Sequence, residues 1–324
     1  MRGWSAFLGA VLFLLTSGLF AQTLHPEKTI TLPADVAVRF TAVSPTGSFV
    51  AGKCRDGKVR LWGLSSGEFV RTLELKAEQI TAPLRFSDDG RLLAAGGAGG
   101  TVRIWEIPSG NLEREFTVPA AVEAIAISPD RHLVAVAPLE AAVQVWDLTT
   151  GKRLADLQPA FSGSSALAFS PDGRWLVTAD ADTEIRIYDA RNGALRSMIA
   201  DFLLETFAVT FSADGKYILA GGADKTISMI DVLSGKVVRA FPKQSGVVQY
   251  LLISRDGNSL AAAYSDPDDP RNPAPILIWD VATQAIRRTV LQPDVTPNGG
   301  EFLADGRLLL TSSSENQLRT WSVR

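Results

Sequence analysis

Two histidines and one cysteine in 324 residues leave the chain poor in the side chains that most often carry chemistry. A single cysteine, Cys54, excludes an intrachain disulfide framework, and its place beside Ala51 and Gly52 predicts a buried thiol. His25 falls in the N-terminal arm, and His132 stands where other repeats of the chain have Arg91, Arg174, Lys216, Asn258 and Arg307, which reads as a solvated strand start. Two histidines so placed build neither a His-rich metal centre nor a Ser-His-Asp arrangement. There is also no Gly-rich phosphate loop and no Cys-x-x-Cys. No catalytic residue, metal site or cofactor is expected. A net charge of -3, with Lys and Arg scattered, offers no basic stripe and argues against nucleic acid as the partner.

What is present is a period. Trp62, Trp105, Trp146, Tyr188, Ile230, Trp279 and Trp321 recur at steps of 43, 41, 42, 42, 49 and 42 residues. Gly47, Gly90, Arg131, Gly173, Gly215 and Gly306 each lie 15 residues upstream of their repeat's aromatic position, and only Gly257, at 22, departs. Such a period marks a repeat architecture. Val59-Arg60-Leu61-Trp62, Val102-Arg103-Ile104-Trp105 and Ile185-Arg186-Ile187-Tyr188 alternate or run apolar between turn signals and read as strands, here strand c. Ahead of them, Phe169-Ser170-Pro171-Asp172-Gly173 and its relatives at 86–90, 211–215 and 253–257 supply the positive backbone angles of a tight hairpin joining strands a and b. Glycines five residues past the aromatic position, at Gly67, Gly110, Gly151, Gly193 and Gly235, mark the c–d turn. Each repeat is expected to be a four-stranded antiparallel sheet.

These motifs resemble the Trp-Asp (WD) repeat family of β-propellers over roughly residues 29–324, with seven repeats in register. Trp146-Asp147 and Trp279-Asp280 carry the name-giving pair; Tyr188-Asp189 and Ile230-Asp231 keep the acid, and Trp62, Trp105 and Trp321 keep the indole. The family's Gly-His dipeptide ahead of strand a is missing, so its buried His-to-Asp network is not expected. Asp56, Asp182 and Asp224, with Glu140 and Glu315 as longer substitutes, are expected to cap b–c turns through backbone N–H groups. The resemblance implies an all-β, seven-bladed propeller in one domain, 22–324, with blades near 35–75, 78–118, 120–158, 163–200, 205–242, 246–291 and 296–324. Radial repetition suits a chain of this length, since each blade buries its faces against two neighbours. Repeat seven runs out just after its strand c, so Thr29-Ile30-Thr31-Leu32 is expected to supply the missing strand, close the ring and remove two exposed edges.

Residues 1–21 differ in kind. Arg2 precedes an uncharged stretch from Trp4 to Phe20 that ends at Ala21 before Gln22-Thr23, the shape of a secretory signal peptide. Its apolar core is shorter than the roughly 20 residues a spanning helix needs. Cleavage after Ala21 is expected; because Leu19 is not the small residue preferred there, an uncleaved N-terminal anchor is the alternative. No cysteine follows the site, so a lipid anchor is not expected. The propeller is expected to be secreted or periplasmic, with no membrane span after signal cleavage, and a lone cysteine is compatible with an oxidising compartment.

Specificity is expected where the period breaks. Repeat six carries seven extra residues between its strands b and c, within 264–275, where three acids and four prolines make a polar, stiff segment. Asp266, Asp268, Asp269 and Arg271 are the candidates of a recognition loop; a calcium site on the three aspartates and a tolerated surface insertion are the other readings. By the resemblance, d–a and b–c loops share one face that often receives partners. Phe161, Phe202, Glu205 and Gln244, in d–a connections, therefore join the candidates, the two aromatics as interface anchors or as rings folded against a blade edge. Arg60, Arg103, Arg186 and Arg319 read as stems packed between blades with charged tips at the rim. Trp175 and Tyr217 read as core. The resemblance implies a non-catalytic protein-interaction scaffold, monomeric or within a complex. The alternatives are a propeller enzyme or small-molecule-binding protein using axial carboxylates in the central channel, and a subunit of an envelope assembly complex.

Overall fold

The Phe-Ser-Pro-Asp-Gly turn folds around its serine. The Ser170 hydroxyl accepts the backbone N–H of Trp175 at 2.9 Å and donates to Asp172 at 2.5 Å, while Asp172 accepts the N–H of Arg174 at 3.0 Å. Ser87 with Asp89, Ser128 with Asp130, Ser212 with Asp214 and Ser254 with Asp256 make the same three bonds. Two otherwise orphaned donors at the start of strand b are thus satisfied locally. The serine hydroxyl is the largest influence holding Asp172, Asp214 and Asp256 below the usual carboxylate range. The turn needs a positive φ at its next position, supplied by Gly173 at 69° and in blade three by Arg131 at 60°.

The computed structural model describes residues 22–23, 27–32, 36–74, 84–157, 164–180, 182–199, 204–265, 275–291, 299–314 and 317–323. Among them every regular element is a strand, and the strands form seven antiparallel blades in a ring. Blade one runs Val38–Val43 (a), Phe49–Cys54 (b), Lys58–Gly63 (c) and Phe69–Glu74 (d). Blades two to five repeat this order, starting from Arg85–Phe86, Val122–Ile127, Ser164–Phe169 and Thr206–Phe211. Blade six runs from Val247–Ile253 to Ile286–Leu291 and differs from the four-stranded expectation, because Gln22–Thr23 adds a fifth strand, parallel, at its outer edge.

Ring closure follows the sequence pattern. Lys28–Thr31 pairs antiparallel with Gln317–Val323, setting Ile30 opposite Leu318. Ile30 is buried while Thr29 and Thr31 are exposed, the alternation expected of an outer strand.

Seven apolar clusters form among the described residues, and each straddles two neighbouring blades. The cluster at the closure joins Ile30, Leu309 and Leu318 of blade seven to Val50 and Trp62 of blade one. Burial of one leucine of this kind contributes ~2 kcal/mol, so the fold depends on every interface being filled. The periodic position supplies much of that filling: Trp62, Trp105, Tyr188, Ile230, Trp279 and Trp321 are buried. The half-buried Trp146 stacks on Phe116 at 4.4 Å. A register shift between strands c and d falls at or beside this position in six blades.

Cys54 is buried beside the Gly52 carbonyl, and desolvation pushes its thiol up despite Arg60 nearby. Two expectations change. The guanidinium groups of Arg103 and Arg186 do not reach free solvent at the rim: Arg103 is buried against Glu115 and the Glu74 carbonyl, and Arg186 among Asp180, Asp182 and Glu184. Charge pairing makes their burial tolerable. Trp175 and Tyr217 are only half-buried, each packed against an interblade cluster, and Arg174 and Arg196 lie over the Trp175 ring at 4.6 and 4.5 Å.

Candidate functional site

Two kinds of connection meet at one end of the ring. In the b–c turns, Arg55, Leu139 and Ala223 donate their N–H groups to the carbonyls of Ala37, Ala121 and Glu205, just ahead of strand a in blades one, three and five, at 2.7–2.8 Å. Asp56, Asp182 and Asp224 cap the b–c turns of blades one, four and five as expected, accepting the N–H groups of Lys58, Glu184 and Thr226 at 3.2, 3.3 and 3.0 Å. The d–a and b–c segments therefore share a face by direct backbone contact.

Glu205 and Gln244 come together around the b–c turn of blade five. Ala223 N–H reaches the Glu205 carbonyl at 2.8 Å, and Gln244 N–H reaches the Lys225 carbonyl at 3.1 Å. Gly222 permits the first approach, since a Cβ there would collide with the Glu205 carbonyl and lie 2.7 Å from the Thr206 Cα. The Glu205 side chain is exposed, whereas Gln244 is half-buried and turns its amide to the Pro242 carbonyl at 2.9 Å. Phe161, Phe202, Asp266, Asp268, Asp269 and Arg271, with residues 1–21, where a signal peptide is expected, lie outside the described residues.

Blade four holds a charged network that sequence reasoning missed. Asp180 is 2% exposed and accepts from the hydroxyls of Ser164 and Thr178 and from Arg186, whose fork also takes Asp182 and Glu184. Burial pushes Asp180 up, against the downward pull of its Ser164 and Arg186 hydrogen bonds. The available signal is an acid at the end of strand b, seven residues after the turn glycine, where other repeats place Cys54, Pro138, Gly222 or Tyr264.

The axis carries a second missed group. Phe40 and Tyr250 occupy equivalent places on strand a and are 41% and 56% exposed, where blades three, four and five have Ala124, Ala166 and Ala208 and blade seven has Gly299. Gly299 fits against the hydrogen-bonded pair Thr41 and Thr311, whose hydroxyls are 2.6 Å apart; a Cβ would lie 2.6 and 2.8 Å from them. Phe40, Thr41, Tyr250 and Gly299, with Arg85, Phe86 and Glu301, line a cavity of about 140 Å³ on the axial side of blades six, seven, one and two. A second cavity of about 550 Å³ lies at the a–b turn end, and Glu301 lines both. Between blades six and two, Arg255 Nη2 donates to the Asp88 carbonyl at 2.6 Å. Desolvation pushes Glu301 up to about 7; Arg85 and Arg255 pull it down and Asp88 pushes it up. Among the described residues no group of His, Cys, Asp and Glu is arranged to hold a metal ion, and no helix is long and apolar enough to cross a membrane.

The WD domain, G-beta repeat family model matches residues 26–63, 67–106, 153–189 and 206–231. Over 128 residues, 39% of the chain, the sequence is 28% identical to the Periodic tryptophan protein 2 homolog of Schizosaccharomyces pombe. The chain spans 15% of that relative's length.

Proposed function

We propose that this chain, whose WD40 repeats close into a seven-bladed propeller, is a non-catalytic protein-interaction scaffold acting outside the cytoplasmic membrane. Its partner is held on the face where d–a and b–c connections meet. The observation that carries this reading is the convergence of Glu205 and Gln244 on one b–c turn, because it sets side chains from two connections on a rigid blade edge. On this reading the 264–275 segment, the b–c connection of blade six, belongs to the same face, and its Asp266, Asp268, Asp269 and Arg271 contact the partner, with Phe161 and Phe202 as apolar anchors. Charged and polar side chains of this kind favour a protein surface of complementary charge over a lipid or nucleic acid. The location rests on the sequence of residues 1–21, an uncharged stretch after Arg2 that has the shape of a secretory signal.

A photo-crosslinking residue placed at Glu205 or Gln244, compared with one at Asp172 or Asp305 on the a–b turns, tests the face. Adducts of defined mass from the first pair alone are expected. Equal adducts from both faces, or adducts from the a–b turns alone, contradict the assignment. A small-molecule-binding or enzymatic role in the channel is the second reading, favoured by the enclosed carboxylate of Glu301. A subunit of an envelope assembly complex would differ from both by stoichiometric co-purification.

A further inference from the structure

We propose that the axial cavity between Phe40 and Tyr250 is a binding site for a phenol, one apolar ring carrying a single neutral hydroxyl. Size is the first argument. A cavity of about 140 Å³ is close to the roughly 150 Å³ of an apolar protein cavity that admits benzene. The walls are the second. Phe40 and Tyr250 present ring surface where three other blades present only alanine methyls, and Gly299 and Gly300 leave the floor between them bare. A Cβ on Gly300 would press on Leu310 and Leu252 at 3.2 and 3.4 Å, so a side chain here would take up the space.

Charge selects the head group. Glu301 and Arg85 line the same cavity with opposite charge, and Arg255 and Asp88 add one of each sign toward the a–b turn end. An ammonium drawn to Glu301 meets Arg85 and Arg255, and a carboxylate drawn to the arginines meets Glu301 and Asp88. Each would also lose its hydration on entry. A hydroxyl donates to the Glu301 carboxylate and accepts from the Arg85 guanidinium without bringing a charge to desolvate. Glu301 has capacity for this bond: among the described residues its carboxylate is served by the Phe302 backbone N–H, and a carboxylate accepts several donors. This inference is independent of the scaffold reading, since the cavity is lined mainly by strand residues and the partner face is built from loops.

The test is calorimetric titration of the full chain with p-cresol, toluene, benzylamine and benzoate at pH 8, where the Glu301 carboxylate is largely ionised. p-Cresol is expected to saturate one site with a Kd on the order of 1 mM, about fivefold or more tighter than the other three. Tyr250→Ala is expected to weaken it about tenfold with no change in the thermal melt, because Tyr250 is exposed. N-acetyltyrosinamide separates the two sources of the ring: comparable binding assigns the site to a protruding tyrosine of a protein, and p-cresol binding alone assigns it to a free phenol. Absence of saturation by p-cresol, charged analogues binding as tightly, or an unchanged Kd in Tyr250→Ala would overturn the proposal.

Discussion

Replacing Glu301 by glutamine keeps the side chain's shape and removes its charge, which isolates what the channel does to a carboxylate. An unfolded glutamate titrates near 4.5, and the folded chain pushes this one up to about 7 through desolvation. Between those values the folded chain keeps a proton that the unfolded chain has released, so stability falls as pH rises through the window and levels off above it. At 1.36 kcal/mol per pH unit the full window is worth about 3 kcal/mol, trimmed to about 2 by solvent in the channel. Glu301→Gln should therefore be more stable than the parent by about 2–3 kcal/mol at pH 8 and by under about 1 kcal/mol at pH 5. Urea denaturation across pH 5 to 8 measures the difference directly. A gain that does not change with pH, or a variant less stable at pH 8, would refute the reasoning that an enclosed, poorly compensated charge sits on the axis.

Deleting residues 26–33 removes the outer strand of blade seven and uncovers Leu318 and Trp62 of the closure cluster; size-exclusion chromatography should show unfolded or oligomeric protein, and a monomer with an unchanged melt contradicts closure by that strand. Asp180→Ala leaves Ser164, Thr178 and part of the Arg186 fork without their acceptor, with an expected loss of about 3–5 kcal/mol in chemical denaturation, against less than about 1 kcal/mol for the exposed turn acid in Asp305→Ala. Gln284 holds φ 58° at a c–d turn where five other repeats have glycine, and its buried amide nitrogen lacks a partner; Gln284→Gly should stabilise the chain by about 1 kcal/mol, and a lower melting temperature would count against strain there.

The blades were legible because their signals are local. In six repeats the distance from the a–b turn to strand c survives even where the turn residue changes, as at Arg131, and the c–d turn likewise keeps its positive φ at Gln284 in place of glycine. The closing strand was legible for a different reason, since an unpaired sheet edge demands a partner and only one alternating segment, 29–32, was left over. Asp180 and Glu301 were not legible. Their significance comes from burial against residues of other strands and blades, and neither spacing nor composition records which carboxylate ends up enclosed. Phe40 and Tyr250 left a faint trace, since aligning the repeats sets them against alanines, but only closure of the ring turns two distant rings toward one cavity. The fifth strand on blade six had no sequence signal: two residues, Gln22–Thr23, are too few for a period. Similarly, the candidate side chains for partner binding lie in loops that obey no repeat, which is why Glu205 and Gln244 could be placed on a face but given no partner from the sequence.

The central claim, a scaffold whose partner is held on the loop-bearing face, is tested most directly by in-cell crosslinking and affinity capture of the tagged protein. The comparison is a variant whose 266–275 segment is cut to the length found in the other repeats. The account predicts a defined set of protein partners that is present with the parent chain and lost with the shortened loop, while the variant's melting temperature is unchanged. The same partners in both samples, or no protein enriched in either, would contradict it.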